Sequence, residues 1–150
     1  SRRQGTPVSL LMLDLDDFKA INDSYGHLAG DLVIKEAADI IRQSVRAFDV
    51  CTRYGGEEFA LILPNTPKSG AMTFARGIRK LLLEHARPHP ESPLNVVTLS
   101  GGITTVVPDD GTHSHNLVLR ADEALYRAKA MGRNQFYSFE FLEQEAEGAT

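Results

Sequence analysis

Apolar positions along the chain alternate between continuous runs and helical spacing. Val8-Ser9-Leu10-Leu11-Met12-Leu13-Asp14-Leu15 is short and almost wholly apolar, as expected of a central strand covered on both faces. Asp14 and Asp16 stand at its C-terminal end. Phe18, Ile21 and Tyr25 then fall at helical spacing, which predicts a short helix over Asp17 to Tyr25 closed by Gly26. After His27-Leu28-Ala29-Gly30-Asp31, the residues Val33, Ala37, Ile40, Ile41, Val45 and Phe48 recur with helical periodicity, a long helix whose apolar face covers the sheet.

Two short runs follow, Val50 to Tyr54 with mixed polarity and Phe59 to Leu63 continuously apolar, the latter predicted to be buried on both faces. Between them lies Gly55-Gly56, read as a two-residue hairpin loop needing positive φ at both glycines. Strand alternation then sends Glu57 and Glu58 to opposite faces. Pro64 to Gly70 reads as a loop, and Ala71, Phe74, Ala75, Ile78, Leu81 and Leu82 mark a second long helix. A Pro- and His-rich loop over 87–93 leads to strands at Asn95–Ser100 and Ile103–Val107, interrupted at Gly101-Gly102. Leu117, Ala121, Ala124, Leu125, Ala128 and Met131 form a last helical stripe ending at Gly132, ahead of a strand over Asn134 to Phe139 and a polar tail. The order predicts an α/β fold, a mixed central sheet packed by helices, in one domain spanning 1–150.

Composition narrows the chemistry. The net charge of −4 comes without a basic run, so a nucleic-acid-binding surface is not expected. Cys51 is the only cysteine, which excludes an intrachain disulfide or a Cys-based zinc site and suits a cytoplasmic setting. No stretch reaches the length of a membrane span. His85, His89, His113 and His115 show no ligand spacing and read as solvated loop residues.

Several residues carry two readings. Gly55-Gly56 followed by Glu57-Glu58 is either a solvated turn or a place where a phosphate lies against bare backbone beside a cation-holding carboxylate. Lys19 and Asn22, three apart on one helix, can act on one ligand. Asp31 suits a helix first turn as well as a ligand site. Lys129 and Arg133, four apart, are either a helix-end pair or a phosphate clamp.

Taken together, Leu13-Asp14-Leu15-Asp16-Asp17-Phe18-Lys19, Ile21-Asn22-Asp23, Tyr25-Gly26-His27, Gly30-Asp31, Arg53 to Phe59, and Ala121 to Tyr126 through Lys129 to Asn134 closely resemble the GGDEF diguanylate cyclase domain in its GGEEF variant, over nearly the whole chain. The resemblance implies a palm-like fold related to class III nucleotide cyclases and condensation of two GTP into cyclic di-GMP and two pyrophosphates. By the same resemblance, Asp14, the Leu15 carbonyl and Glu57 hold Mg²⁺, two ions per site, with Mn²⁺ as a substitute. Glu57 accepts the 3′-hydroxyl proton, Glu58 assists, and Lys19 opposes charge in the transition state. Lys129 and Arg133 contact phosphate. Asn22 and Asp31 read guanine, with His27, Gly55 and Gly56 bordering the substrate.

The partners implied are GTP, a second copy of the domain, since each binds one GTP, and an upstream sensory domain. The family usually carries Asp-x-Leu-Thr-Gly-Leu-x-Asn-Arg-Arg ahead of the first strand. The chain begins after it, so that segment and any membrane attachment belong to the parent protein. Arg46 and Asp49 match an RxxD site for inhibitory cyclic di-GMP. Gly77 stands where some members add an arginine, flanked here by Arg76 and Arg79. Two alternatives are a catalytically silent nucleotide-binding module and a related cyclase making cyclic AMP or GMP. Intact Asp14, Lys19, Glu57 and Glu58 oppose the first, and the GGEEF hairpin with Asp31 opposes the second.

Overall fold

A computed structural model of the chain describes residues 5–85, 87–89, 96–109 and 113–139. Its elements run β1 (Val8–Leu15), α1 (Phe18–Tyr25), α2 (His27–Ser44), β2 (Val50–Arg53), β3 (Glu58–Pro64), α3 (Lys68–His85), β4 (Leu99–Val106), α4 (Ser114–Ala130) and β5 (Phe136–Ser138). The strands form one mixed sheet in the order β2-β3-β1-β4-β5, antiparallel except for the parallel pair β4 and β5.

The apolar run of β1 places it at the centre, with one side of the strand serving each layer. Leu11, Leu13 and Leu15 join Leu61, Leu63 and Ile103 in the main core beneath α1, α2 and α3. Leu10 and Met12 pack with Ala60 against Ala121 and Leu125 of α4 on the opposite face. Alternation therefore puts Asp14 and Asp16 on the α4 face, although both are buried. Ile62 of β3 is exposed rather than buried, although Leu61 and Leu63 on either side of it are fully buried.

The helical stripes end sooner than their periodicity predicts. α2 starts at His27 and stops at Ser44, where Val45 turns extended (ψ 148°), and Phe48 is left 84% exposed. Tyr25, Leu81 and Met131 are likewise exposed. α3 begins at Lys68, inside the expected loop. Asp17 stays outside α1 as its left-handed N-cap (φ 54°), and β5 is shorter than expected because Asn134 is also left-handed.

The expected break at Gly101-Gly102 is absent: β4 runs through both glycines. Asn95, the expected start of that region, lies outside the described residues. A Cβ on Gly102 would lie 2.0 Å from the Ala121 carbonyl oxygen, and one on Gly101 would lie 2.6 Å from Phe136 and 2.7 Å from Leu13. Gly102 lets α4 approach one face of the sheet closely, and Gly101 leaves room on the other for the Phe136 and Leu13 side chains. Two of the histidines depart from the solvated-loop reading, whereas His113 is exposed outside α4 as that reading expects. His89 is fully buried, and His85 ends α3 paired with Glu36, whose carboxylate also takes two bonds from Arg87 at 2.7 and 2.8 Å.

Candidate functional site

Two strands and a turn deliver three carboxylates to the C-terminal end of β1. Asp14 of β1 lies directly across from Glu58 of β3, and the Leu15 amide donates to the Glu57 carbonyl at 3.3 Å. Like charges opposite one another in a ladder are unfavourable, and little offsets them here. Lys129 of α4 donates to Asp14 Oδ2 at 2.5 Å, while Asp14 Oδ1 is buried with no hydrogen-bond partner among the described residues. Burial and then the charge of Asp14 push the Glu57 carboxyl up to about 7. Burial, Asp14 and Asp122 of α4 raise Glu58 as well, with Lys129 opposing both shifts.

Strand alternation does not govern Glu57 and Glu58 as a pair: Glu58 lies across from Asp14 in the ladder, and Glu57, outside the strand, also feels the charge of Asp14. Glu57 precedes the first residue of β3 and is set by the turn, not the pleat. That turn also differs from the expected two-residue loop. Tyr54 donates its amide to the Glu58 carbonyl at 2.8 Å, leaving Gly55-Gly56-Glu57 as the loop, and neither glycine has a positive φ. The Arg53 guanidinium holds the Gly56 carbonyl through bonds of 2.6 and 3.1 Å. A Cβ on Gly56 would meet nothing within 4 Å, so what the glycine supplies is a bare surface.

An unpartnered carboxylate oxygen beside a carboxyl raised by its neighbour's charge suits a hard divalent cation. Among the described residues no group of three or more His, Cys, Asp or Glu side chains forms a ready-made cage. Mg²⁺ needs none: it is commonly held by one or two carboxylates and completes its shell with phosphate and water.

The remaining predicted residues gather around this end and along α1 and α2. Lys19 is exposed on α1, and His27 opens α2, also exposed. Asp31 is the fifth residue of α2, and the first turn holds no acid, so the helix-dipole reading does not apply to it. It borders a cavity of about 540 Å³ lined also by Ile34, Lys35, Arg42, Arg53 and Phe59. Asn22 is half-buried, its Oδ1 turned toward Gly30. Lys129 and Arg133 do not share a helix face: α4 ends at Ala130, and Arg133 sits beyond it in the left-handed region (φ 64°), its Nε 3.5 Å from Asp17 Oδ1.

Arg46 and Asp49 lie apart from the carboxylates, after α2, and already satisfy one another. Arg46 makes a two-pronged contact to Asp49 at 2.8 and 2.9 Å and reaches Thr66 Oγ1 at 2.6 Å. A Cβ on Gly77 would meet nothing within 4 Å. Arg79 donates to the Asn134 carbonyl at 3.2 Å and stacks over Phe136, and Arg76 borders the groove between α3 and β5.

Asp16 carries more than its place in the motif suggested. Only 1% exposed, it accepts hydrogen bonds from Thr98 Oγ1 (2.8 Å), Ser100 Oγ (2.6 Å) and the Asn134 amide (3.0 Å), tying β1 to β4 and to the turn that bears Arg133. The sequence signal was an acid two residues beyond Asp14 in an otherwise apolar strand. Asp122 was also missed. Its signal is a position seven residues before Lys129, two turns away on the same side of α4.

The family model for the diguanylate cyclase GGDEF domain matches residues 1–135. Diguanylate cyclase A of Treponema denticola is 45% identical over 128 residues, covering 85% of this chain and 34% of that protein. The response regulator PleD of Caulobacter vibrioides is 43% identical over 132 residues, 87% of this chain and 29% of its own length. The chain thus spans about a third of the curated relatives it matches. Among solved structures, the GGDEF domain of DgcB from Caulobacter crescentus in complex with c-di-GMP superposes with a TM-score of 0.83 at 35% identity, covering 93% of this chain and 81% of that one. The active GGEEF domain of a Vibrio cholerae diguanylate cyclase gives 0.77 at 34% identity, with 92% and 86% covered.

Proposed function

This chain belongs to the diguanylate cyclase GGDEF-domain family, and we propose that it condenses two GTP into cyclic di-GMP, each 3′-hydroxyl attacking the other's α-phosphate as pyrophosphate leaves. The observation that carries this reading is the gathering of Asp14, Glu57 and Glu58 at the end of β1, with Lys129 bonded to Asp14 Oδ2 and Asp14 Oδ1 buried without a hydrogen-bond partner among the described residues. Support comes also from the structural likeness to a GGEEF domain described as active and to a domain solved with cyclic di-GMP.

Asp14, the Leu15 carbonyl and Glu57 would hold Mg²⁺, two ions per site, with Mn²⁺ able to replace it. Bound there, the metal would neutralise phosphate charge and stabilise both entering and leaving oxygens. Glu57 would take the 3′-hydroxyl proton as general base. Glu58 adjusts the local charge. Lys19 opposes charge developing on the α-phosphate, and Lys129 and Arg133 take the outer phosphates, Lys129 exchanging Asp14 for substrate. Asn22 and Asp31, with His27 beside them, accept guanine's N1–H and exocyclic amine, which adenine cannot offer together. Gly55 and Gly56 leave the turn bare for the nucleotide.

One domain holds one GTP, so product forms between two copies facing across a two-fold axis, arranged by an upstream sensory domain. Cyclic di-GMP returning to Arg46 and Asp49 would inhibit. Because that pair is closed on itself, product binding must open it.

The test is product analysis with GTP and Mg²⁺, on the chain at concentrations high enough for two copies to meet. The parent is expected to form cyclic di-GMP, and Glu57→Gln to lose roughly 10²- to 10⁴-fold in rate. A parent that binds GTP yet makes no product overturns the proposal in favour of a silent nucleotide-binding module.

A further inference from the structure

Packing does little to hold the turn that carries Glu57. A Cβ on Gly56 would meet nothing within 4 Å, so nothing presses on that side of the residue, and glycine backbone has the widest choice of conformations. Glu57 itself precedes the first residue of β3. What holds the turn is hydrogen bonding. At its base the Tyr54 amide donates to the Glu58 carbonyl at 2.8 Å, and from β1 the Leu15 amide reaches the Glu57 carbonyl at 3.3 Å. Between these two points the Gly56 carbonyl accepts from both Nη2 (2.6 Å) and Nε (3.1 Å) of Arg53.

Arg53 is the last residue of β2 and pairs with Phe59, so the ladder fixes its backbone while its side chain reaches three residues along the chain. The planar guanidinium sets two donors on one oxygen, which fixes the direction of the contact as well as its length. That oxygen belongs to the planar peptide joining Gly56 to Glu57. Arg53 is exposed, so the clamp adds little to overall stability and its removal leaves the fold in place. We infer that Arg53 is a positioning residue for Glu57: its guanidinium locks the Gly56–Glu57 peptide, and with it the direction in which the Glu57 side chain leaves the turn. This inference rests on the proposed reading of Glu57 as the group that takes the 3′-hydroxyl proton. The rival role is direct contact with a ligand in the cavity that Arg53 lines with Asp31, Lys35 and Arg42.

The test compares Arg53→Ala and Arg53→Lys with the parent, each alone and combined with Glu57→Gln. The readouts are melting temperature, kcat and KM for cyclic di-GMP formation, and NMR order parameters of the Gly56 and Glu57 amides. Arg53→Ala is expected to keep the melting temperature within about 2 °C. It should lower both order parameters and reduce kcat roughly tenfold with KM for GTP unchanged. Arg53→Lys, which offers a donor without the planar fork, should fall between parent and Arg53→Ala, and it carries the same comparison if Arg53→Ala loses the fold. In the Glu57→Gln background, removing Arg53 should cost no further rate, because it acts through Glu57. A raised KM with parent-like order parameters assigns Arg53 to the ligand cavity and overturns the inference, as does an equal rate loss in both backgrounds. Parent-like order parameters and kcat in Arg53→Ala, beside an impaired Glu57→Gln, sink the inference alone. If the parent forms no product, or Glu57→Gln forms it like the parent, the proton-acceptor reading of Glu57 fails and the inference falls with it.

Discussion

The two sides of the C-terminal end of β1 treat buried acids in opposite ways. Toward β4, Asp16 is surrounded by donors: two hydroxyls and a backbone amide, at 2.6 to 3.0 Å. Toward β3, two residues earlier, Asp14 meets Glu58 and Glu57, with Lys129 bonded to one of its oxygens and the other without a hydrogen-bond partner among the described residues. Asp16 has its partners within the protein, whereas at Asp14 Lys129 is the cation that opposes three neighbouring carboxyls. Two buried acids thus differ in their neighbours more than in their burial.

The largest effect should come from breaking the satisfied side. Asp16→Ala leaves three buried donors without an acceptor and frees the turn carrying Arg133, at a cost of about 3 kcal/mol in urea unfolding. A loss well under 1 kcal/mol would mean that Asp16 is not the tie between β1, β4 and that turn.

The unsatisfied side should respond with the opposite sign. A carboxyl raised from 4.5 to about 7 in the folded state makes ionisation of Glu57 a cost to folding, absent below pH 4.5 and complete above about 7. With a chelator present, Glu57→Gln should therefore stabilise the protein at pH 8 by about 1 kcal/mol, a figure discounted for solvent screening. The gain should vanish as the pH falls below 4.5, and added Mg²⁺ should reverse the order of parent and variant. A variant less stable than the parent at pH 8 without metal would contradict that imbalance of charge.

The smallest effect sharpens the contrast at a distance. Glu36 joins α2 to His85 and Arg87, and the hydrogen bond from Arg87 holds its carboxyl below the ordinary value. A lowered acid stabilises above its unfolded pKa and loses that contribution as the pH falls through the folded one. Arg87→Ala should cost up to about 1 kcal/mol at pH 7, with the difference from the parent shrinking below pH 4. A pH-independent difference would assign Arg87 a packing role instead.

Much of this was legible in the chain. The apolar run of β1, the stripe of α4 and the acids at the strand end follow from period and composition, because burial selects residues one position at a time. The turn at Gly55-Gly56 was legible as a turn but not in its conformation, since loop length depends on whether Tyr54 pairs with Glu58, a decision taken by the ladder. Strand alternation misplaced Glu57 for the same reason. His85 and His89 misled because polarity alone does not tell a loop from a buried corner, where His89 sits, or from the helix end at which His85 meets Glu36.

By itself, the sequence determined the order of elements, the central strand, and the residue types able to hold a cation, a phosphate and a base. Only the tertiary structure decided that β4 would run unbroken through Gly101-Gly102, that Asp16 would be tied down while Asp14 was left short of partners, and that Gly30 would lie against Asn22. Each of those outcomes depends on which atoms from distant segments come within a few ångströms of one another. Local preference acts along the chain, whereas steric overlap, hydrogen bonding and charge coupling act across it.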